Sequence, residues 1–270
     1  MKKTVLITGA SSGFGKAAVK LFHTNNWNVI ATMRSPEKET ELSTLSNVFI
    51  SKLDVTDKLS IQNTVAAGIE KFGNIDVLVN NAGYGAMGAL EASTEEQVKQ
   101  QFDVNLFGLI EVTKAVLPGM REQGHGHIIQ LSSVLGLISR PVLGLYAASK
   151  FAVEGLSESL AAEVKSFGIH VSIIEPAGFD TEWGSSSAAR TVAIPEYNEV
   201  KTNHQAGIPP DFRGAASGTT AAVLKLIDSE TPPLRLLLGK YANMLVKKEY
   251  ASRNTEWDSW LETTLAAQGK

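Results

Sequence analysis

Seven short runs rich in Val, Ile and Leu recur along the chain, most of them followed by a longer segment of helical periodicity. They are Thr4–Ile7, Asn28–Met33, Val48–Leu53, Val77–Asn80, His127–Leu131, His170–Glu175 and Leu234–Leu238. Strands alternating with helices imply right-handed βαβ crossovers and a parallel sheet. Several runs are apolar almost throughout, as strands covered by helices on both faces must be. The pattern predicts an α/β fold: a doubly wound parallel sheet of seven strands with helices on both faces. Helices are expected at Gly13–Asn25, Ser60–Phe72, Thr94–Met120 and Leu145–Phe167, the third capped by Thr94 and closed by Pro118.

Residues 179–218 lose this periodicity among Gly, Ser and Pro around Trp183 and Tyr197. A helix and a strand follow, so the segment reads as a substrate lid rather than a linker. A helical tail bearing Trp257 and Trp260 is expected over residues 240–270. The 270 residues then form one domain with a lid and a tail.

Composition removes several functions. The chain has no cysteine, which excludes a disulfide framework, a thiolate nucleophile and iron–sulfur ligation. A net charge of −3 and the lack of any dense Lys/Arg run argue against a nucleic-acid partner. After Met1-Lys2-Lys3 the apolar run Val5-Leu6-Ile7 is too short for a signal peptide, and the uncharged stretch Gln123–Ser139 is too short and polar for a membrane span. A cytoplasmic protein with no membrane partner is expected.

The first strand runs directly into Thr8-Gly9-Ala10-Ser11-Ser12-Gly13-Phe14-Gly15 and a helix. Glycines there permit a sharp turn and close approach to a pyrophosphate held at a helix N-terminus. A P-loop fails, because Ala10 stands where its first Gly belongs and Ala17 follows Lys16. A nucleophile elbow on Ser11 lacks upstream chain for an oxyanion loop. A dinucleotide site and a purely structural turn both remain open on these residues alone. Likewise His125-Gly126-His127 has no adjacent carboxylate and reads as a turn entering a strand, not as a metal site.

Tyr-x-x-x-Lys occurs at Tyr146/Lys150 and at Tyr197/Lys201. Only the first follows a strand ending in Ser133 and opens a long helical pattern, which places the two side chains on one face about 6 Å apart along the axis. A free phenol, with a pKa of about 10, is a poor acid–base group at neutral pH. A neighbouring ammonium and an oxidised nicotinamide favour its phenolate, and Ser133 is able to donate to a substrate oxygen.

Together with Asp54-Val55, Asn80-Asn81-Ala82-Gly83, Asn105 and Pro176 through Thr181, these motifs resemble, in order and spacing, the short-chain dehydrogenase/reductase family over residues 4–240. The resemblance implies a Rossmann-type sheet ordered 3-2-1-4-5-6-7 that binds a nicotinamide dinucleotide. It implies Tyr146 as acid–base, Lys150 lowering its pKa and holding the ribose, and Ser133 polarising the carbonyl. Asn105 would kink its helix and hold a water. Gly9, Ser11, Ser12, Gly13, Phe14 and Gly15 would form the phosphate turn, and Asp54 and Val55 would meet adenine. Asn81, Ala82 and Gly83 would pass beside the ribose, with Pro176 and Thr181 near the nicotinamide or phosphates. Ala177 and Gln130 depart from the residues usual in the family.

The second strand ends Met33-Arg34 with no acid to bond a ribose 2′-hydroxyl, whereas Arg34 suits a 2′-phosphate, so NADP(H) is the expected cofactor. Met33→Asp with Arg34→Ala is the substitution expected to favour NAD(H). Val134, Leu135, Leu143, Phe179 and Trp183, with Tyr84 nearby, form either an apolar substrate pocket or core. The expected activity is carbonyl reduction of an apolar ketone or aldehyde, or oxidation of a secondary alcohol. A nonenzymatic NADP(H)-binding sensor is the alternative. A homodimer or homotetramer through the Thr94–Met120 and Leu145–Phe167 helices is the family-level expectation.

Overall fold

The computed structural model describes residues 2–180, 188–204 and 208–269. Its main sheet contains β1 (Thr4–Ile7), β2 (Asn28–Met33), β3 (Val48–Lys52), β4 (Val77–Asn80), β5 (Gly126–Leu131), β6 (Ile169–Pro176) and β7 (Arg235–Leu238). All neighbours pair in parallel in the order 3-2-1-4-5-6-7. The alternation of strand side chains explains the two cores. Val5 and Ile7 join Val29, Val77, Val19 and Phe22 on one face, and Leu6 joins Ile30, Leu78, Ile128, Ile61 and Val112 on the other. Each such fully buried aliphatic side chain contributes about 1.5–3 kcal/mol.

The helices are α1 (Gly13–Thr24), α2 (Lys58–Phe72), α3 (Glu95–Phe102), α4 (Leu109–Gln123), α5 (Gly144–Val164), α6 (Asn198–His204), α7 (Thr220–Ile227), α8 (Lys240–Ser259) and α9 (Leu261–Ala266). Thr94 caps α3 in a reciprocal capping box with Gln97. The single helix expected over Thr94–Met120 is instead interrupted by a wide π-helical turn at Asp103–Gly108. Pro118 does not close α4 either, which runs on to Gln123 and stops at Gly124 in the left-handed region, φ 72°. Pro118 is exposed, and Val112, Val116 and Met120 hold the rest of the helix on the sheet. The proline therefore costs one backbone hydrogen bond without unseating the last turn.

The order of strands reverses between β1 and β4, so the crevice at their carboxyl ends is the natural ligand site of this architecture. Within residues 179–218, Phe179–Asp180 pairs with Gly214–Ala215, and Ala189–Arg190 pairs with Ala86–Met87. Thr181 and Trp183 lie outside the described residues. Among the described residues no helix is long and apolar enough to cross a membrane. The first half of α8 packs Ala242 and Val246 inward, whereas Trp257 and Trp260, further along, are 62% and 64% exposed.

Candidate active site

The loops after β1 and β4 brace each other. Asn81 donates its backbone N–H to Thr8 Oγ1 at 3.0 Å and its side-chain amide to the Thr8 and Gly9 carbonyls, both at 2.9 Å. Gly9 has φ 66°, and a Cβ on Gly15 would lie 2.3 Å from the Gly9 oxygen and 2.5 Å from Asn81 Nδ2. These two glycines are thus required by the closeness of the two loops. Gly13 opens α1 with φ 53°, and Ser12 precedes it without a side-chain cap. The first-turn amides of a helix have no acceptor within it, so they face the crevice as donors.

Arg34 is exposed at the end of β2. Met33 is only 4% exposed and packs in the core with Leu42, so an Asp at that position would be a buried carboxylate. The clean test of the cofactor phosphate is therefore Arg34 alone. Lys16, one turn into α1, entered the sequence reading only through the rejected P-loop, and its acidic partners were not legible there. Its ammonium is bound to Glu39 at 3.2 Å and Glu41 at 2.9 Å, acids that approach it from the loop after β2. Asp54 Oδ1 accepts from the Thr56 backbone at 2.9 Å and its hydroxyl at 2.7 Å, forming a local turn, and Val55 packs over Gly108.

Ser133, Tyr146 and Lys150 are 8%, 6% and 4% exposed and converge where β5 meets α5. The Ser133 hydroxyl accepts from the Leu135 N–H at 3.1 Å and is hydrogen-bonded to the Tyr146 hydroxyl. Burial raises the Tyr146 pKa, a rise that the Ser133 contact partly offsets. Lys150 Nζ lies 5.8 Å from the Tyr146 ring centroid and donates to the Leu131 carbonyl at 2.6 Å. Burial lowers its pKa to about 8, and Glu154 opposes that fall. Desolvation thus outweighs the mutual effect expected from the sequence, leaving a neutral phenol beside a readily titrated amine.

Asn105 sits inside the wide turn and is 1% exposed. Its Nδ2 donates to the Tyr84 carbonyl at 2.9 Å and Ser149 Oγ at 3.1 Å, and its Oδ1 accepts from Tyr84 N–H at 3.0 Å. A Cβ on Gly83 would meet Asn105 Oδ1 at 3.1 Å and Lys150 Nζ at 3.7 Å, which sets Gly83 against both side chains. Gln130 accepts from Asn80 at 2.9 Å, linking β5 to β4. Pro176 is the last residue of β6.

The apolar pocket expected from sequence is largely core. Val134, Leu135 and Leu143 pack with Tyr146, Ala242 and Val246, because α8 covers them. Phe179 packs edge-on to Phe14 with ring centroids 5.5 Å apart. A different cleft lies at the start of α5, lined by Met87, Leu90, Arg140, Pro141, Val142 and Leu145. His127 is not in this region. It is buried in the sheet with Nε2 3.0 Å from Ser172 Oγ, and burial, with a smaller contribution from His170, depresses its pKa to about 4. Tyr197 lies in a short turn before α6.

A family model described as short chain dehydrogenase matches residues 3–191. The chain belongs to the short-chain dehydrogenase/reductase family. It is 39% identical over 279 residues to an oxidoreductase of Botryotinia fuckeliana (strain B05.10), covering 99% of this chain and 100% of the relative. It is 37% identical over 256 residues to a 3-ketodihydrosphingosine reductase of Bacteroides thetaiotaomicron, covering 90% of each. A solved short-chain dehydrogenase from Streptomyces avermitilis matches with TM-score 0.91 and 36% identity over 98% of both chains. ElxO with NADP bound matches with TM-score 0.74 and 27% identity over 88% and 97% of the two chains. A member from Burkholderia phymatum in complex with NAD matches with TM-score 0.80 and 25% identity over 94% and 95%. This short-chain dehydrogenase is thus an oxidoreductase of a family whose solved members bind NAD or NADP.

A partly buried charge cluster that the sequence did not reveal joins α5, β6 and β7. Arg235 Nε on β7 binds Glu154 Oε2 at 2.9 Å, its Nη2 binds Glu158 at 2.6 Å, and Glu175 lies 4.0 Å away. The Glu175 side chain is fully buried, and desolvation, aided by Glu154, pushes its pKa from 4.5 to about 8. The folded protein therefore keeps a proton that the unfolded chain loses, and stability contributed by this group falls as pH rises from 4.5 through 8. Glu175→Gln removes the titration. Its stability relative to wild type is expected to rise with pH, by up to about 5 kcal/mol above about pH 8, read as a rising melting temperature, with no gain below about pH 4.5. A difference that does not vary with pH would contradict the assignment.

Proposed function

We propose that the protein is an NADP(H)-dependent carbonyl reductase for apolar ketones or aldehydes, working in reverse on secondary alcohols. The observation that carries this reading is the buried Tyr146 hydroxyl, bonded to Ser133 and one helical turn from Lys150. A phenol kept neutral by burial is a proton donor, which suits reduction. Ser133 orients the carbonyl oxygen and stabilises charge growing on it, and Tyr146 delivers a proton to the same oxygen. The Lys150 ammonium stabilises the phenolate left behind. Asn105 fixes the Tyr84 backbone and Ser149, which keeps α5 in place against the wide turn.

The residues present fit a phosphorylated dinucleotide: a positive-φ glycine turn at a helix start, a bare Gly83 facing Lys150, and an exposed Arg34. The cofactor supplies the hydride when bound. In this reading Gly9 through Gly15 hold the pyrophosphate, Arg34 the 2′-phosphate, and Asp54 and Val55 the adenine. Asn81, Ala82, Gly83 and Lys150 take the ribose, and Pro176 and Thr181 the nicotinamide end. The NADP-bound relative supports this cofactor and the NAD-bound one supports the dinucleotide site in general.

The mostly apolar cleft at the start of α5, the helix that carries Tyr146, favours an apolar substrate, and the 3-ketodihydrosphingosine reductase among the relatives accords with that. Val142 lines this cleft with φ 58°, a strained backbone for a β-branched residue. Val142→Asp is expected to lower kcat/KM for long apolar carbonyls about 10–100-fold, while small aldehydes change less than about threefold. Equal losses on both would place the substrate elsewhere. Phe107 and Phe151, 54% and 40% exposed near the π-turn and on α5, support self-association there. The decisive assay of function is NADPH oxidation over a panel of apolar carbonyls. Turnover supports a reductase, whereas tight NADPH binding without turnover on any member supports a sensor.

A further inference from the structure

We propose that Glu154, clamped by Arg235, is a positioning residue that supplies the counter-charge to Lys150 from behind the active site. The inference rests on the reading of Lys150 as the ammonium that serves Tyr146. Lys150 makes no direct ion pair within 4.0 Å among the described residues, and one of its three N–H donors goes to the neutral Leu131 carbonyl at 2.6 Å. Glu154 follows it by four residues on α5 and so lies on the same face, one turn on. It is the charge that favours the ammonium against the cost of burial.

Burial raises the Glu154 pKa, and the Arg235 hydrogen bond together with the Arg235 and Lys150 charges opposes that rise and favours the carboxylate. Its side chain is 6% exposed, and Oε2 takes the Arg235 bond at 2.9 Å. Oε1 faces Gly136 and the end of β5. A Cβ at Gly136 would lie 3.1 Å from Glu154 Oε1 and 2.5 Å from Ser132 Oγ, so the turn that carries Ser133 is closed onto this carboxylate. Charged and titratable groups reach the pair from every side: Tyr146 and Glu158 on α5, Glu175 on β6 and Arg235 on β7, with the Ser132 and Ser133 hydroxyls at the end of β5. Arg235 already has the more exposed Glu158 as a partner, at 62% exposure. A bridge that only joined β7 to α5 would not need a second, buried acid.

The test is a titration of Lys150 by NMR in the full chain without cofactor, using lysine labelled at Cε and the signal assigned by its loss in Lys150→Met. In Glu154→Gln the Lys150 midpoint is expected to fall by at least about half a pH unit relative to wild type. In the same variant the alkaline limb of the pH profile of kcat/KM is expected to move down in the same direction, with activity within about twofold of wild type below that limb. Should Glu154→Gln not fold, Glu154→Asp, which draws the charge back from Lys150, is expected to give a smaller shift in the same direction. An unchanged Lys150 midpoint, or a loss of activity uniform across pH, overturns the proposal. A wild type that turns over no carbonyl overturns the reductase reading instead, and the titration then judges the counter-charge by itself.

Discussion

Tyr146→Phe is expected to cut NADPH-dependent carbonyl turnover by about 10²–10⁴-fold while leaving NADPH affinity within about threefold. The substitution removes one oxygen from a side chain that is 6% exposed and packed against Ala242 and Val246, so the surrounding core is preserved. What is lost is the proton donor and its bond to Ser133. Because the phenol is held neutral, its loss removes the acid that reduction needs, and Ser133 lacks a pKa that would let it substitute. Steady-state kinetics paired with fluorescence titration of NADPH measures both quantities. Turnover equal to wild type would remove Tyr146 from the chemistry.

The second large effect concerns the cofactor phosphate. Arg34→Ala is expected to weaken NADPH about 10–100-fold and NADH by less than about threefold, as the loss of a charge-assisted contact made only with the phosphorylated ribose. Arg34 is exposed, so its removal does not disturb the core. Met33, its neighbour, is buried, and an acid introduced there would unsettle β2 as well as the site. Equal losses for the two cofactors would mean that Arg34 acts on something common to both.

The sheet was legible in the sequence because most strands are short apolar runs, the central ones covered on both faces, and the order followed from the family's motifs. The break in the third helix was legible only through the resemblance. Its cause is Asn105, whose partners Tyr84 and Ser149 are 21 and 44 residues away, and no local periodicity reports them. Pro118 misled for the opposite reason: a strong local signal yields when tertiary packing holds the next turn. Val134, Leu135 and Phe179 are apolar residues next to motif positions, and composition does not distinguish a pocket wall from core. For Val134 and Leu135 only the position of α8 does, and for Phe179 its packing on Phe14. The Arg235 clamp joins residues 81 positions apart, Arg235 and Glu154, which read separately as ordinary surface charges. Ser133, Tyr146 and Lys150, by contrast, were readable because a strand end and one helical turn suffice to bring them together.

The central claim is hydride transfer from NADPH to an apolar carbonyl with Tyr146 as the proton donor. The most direct measurement uses NADPH deuterated at the transferable ring position, an apolar ketone or aldehyde, and mass spectrometry of the product alcohol. With wild type one deuterium is expected on the carbinol carbon, in proportion to NADPH consumed, and with Tyr146→Phe almost none. NADPH bound but never consumed by the wild type, or alcohol formed without deuterium, would contradict the account.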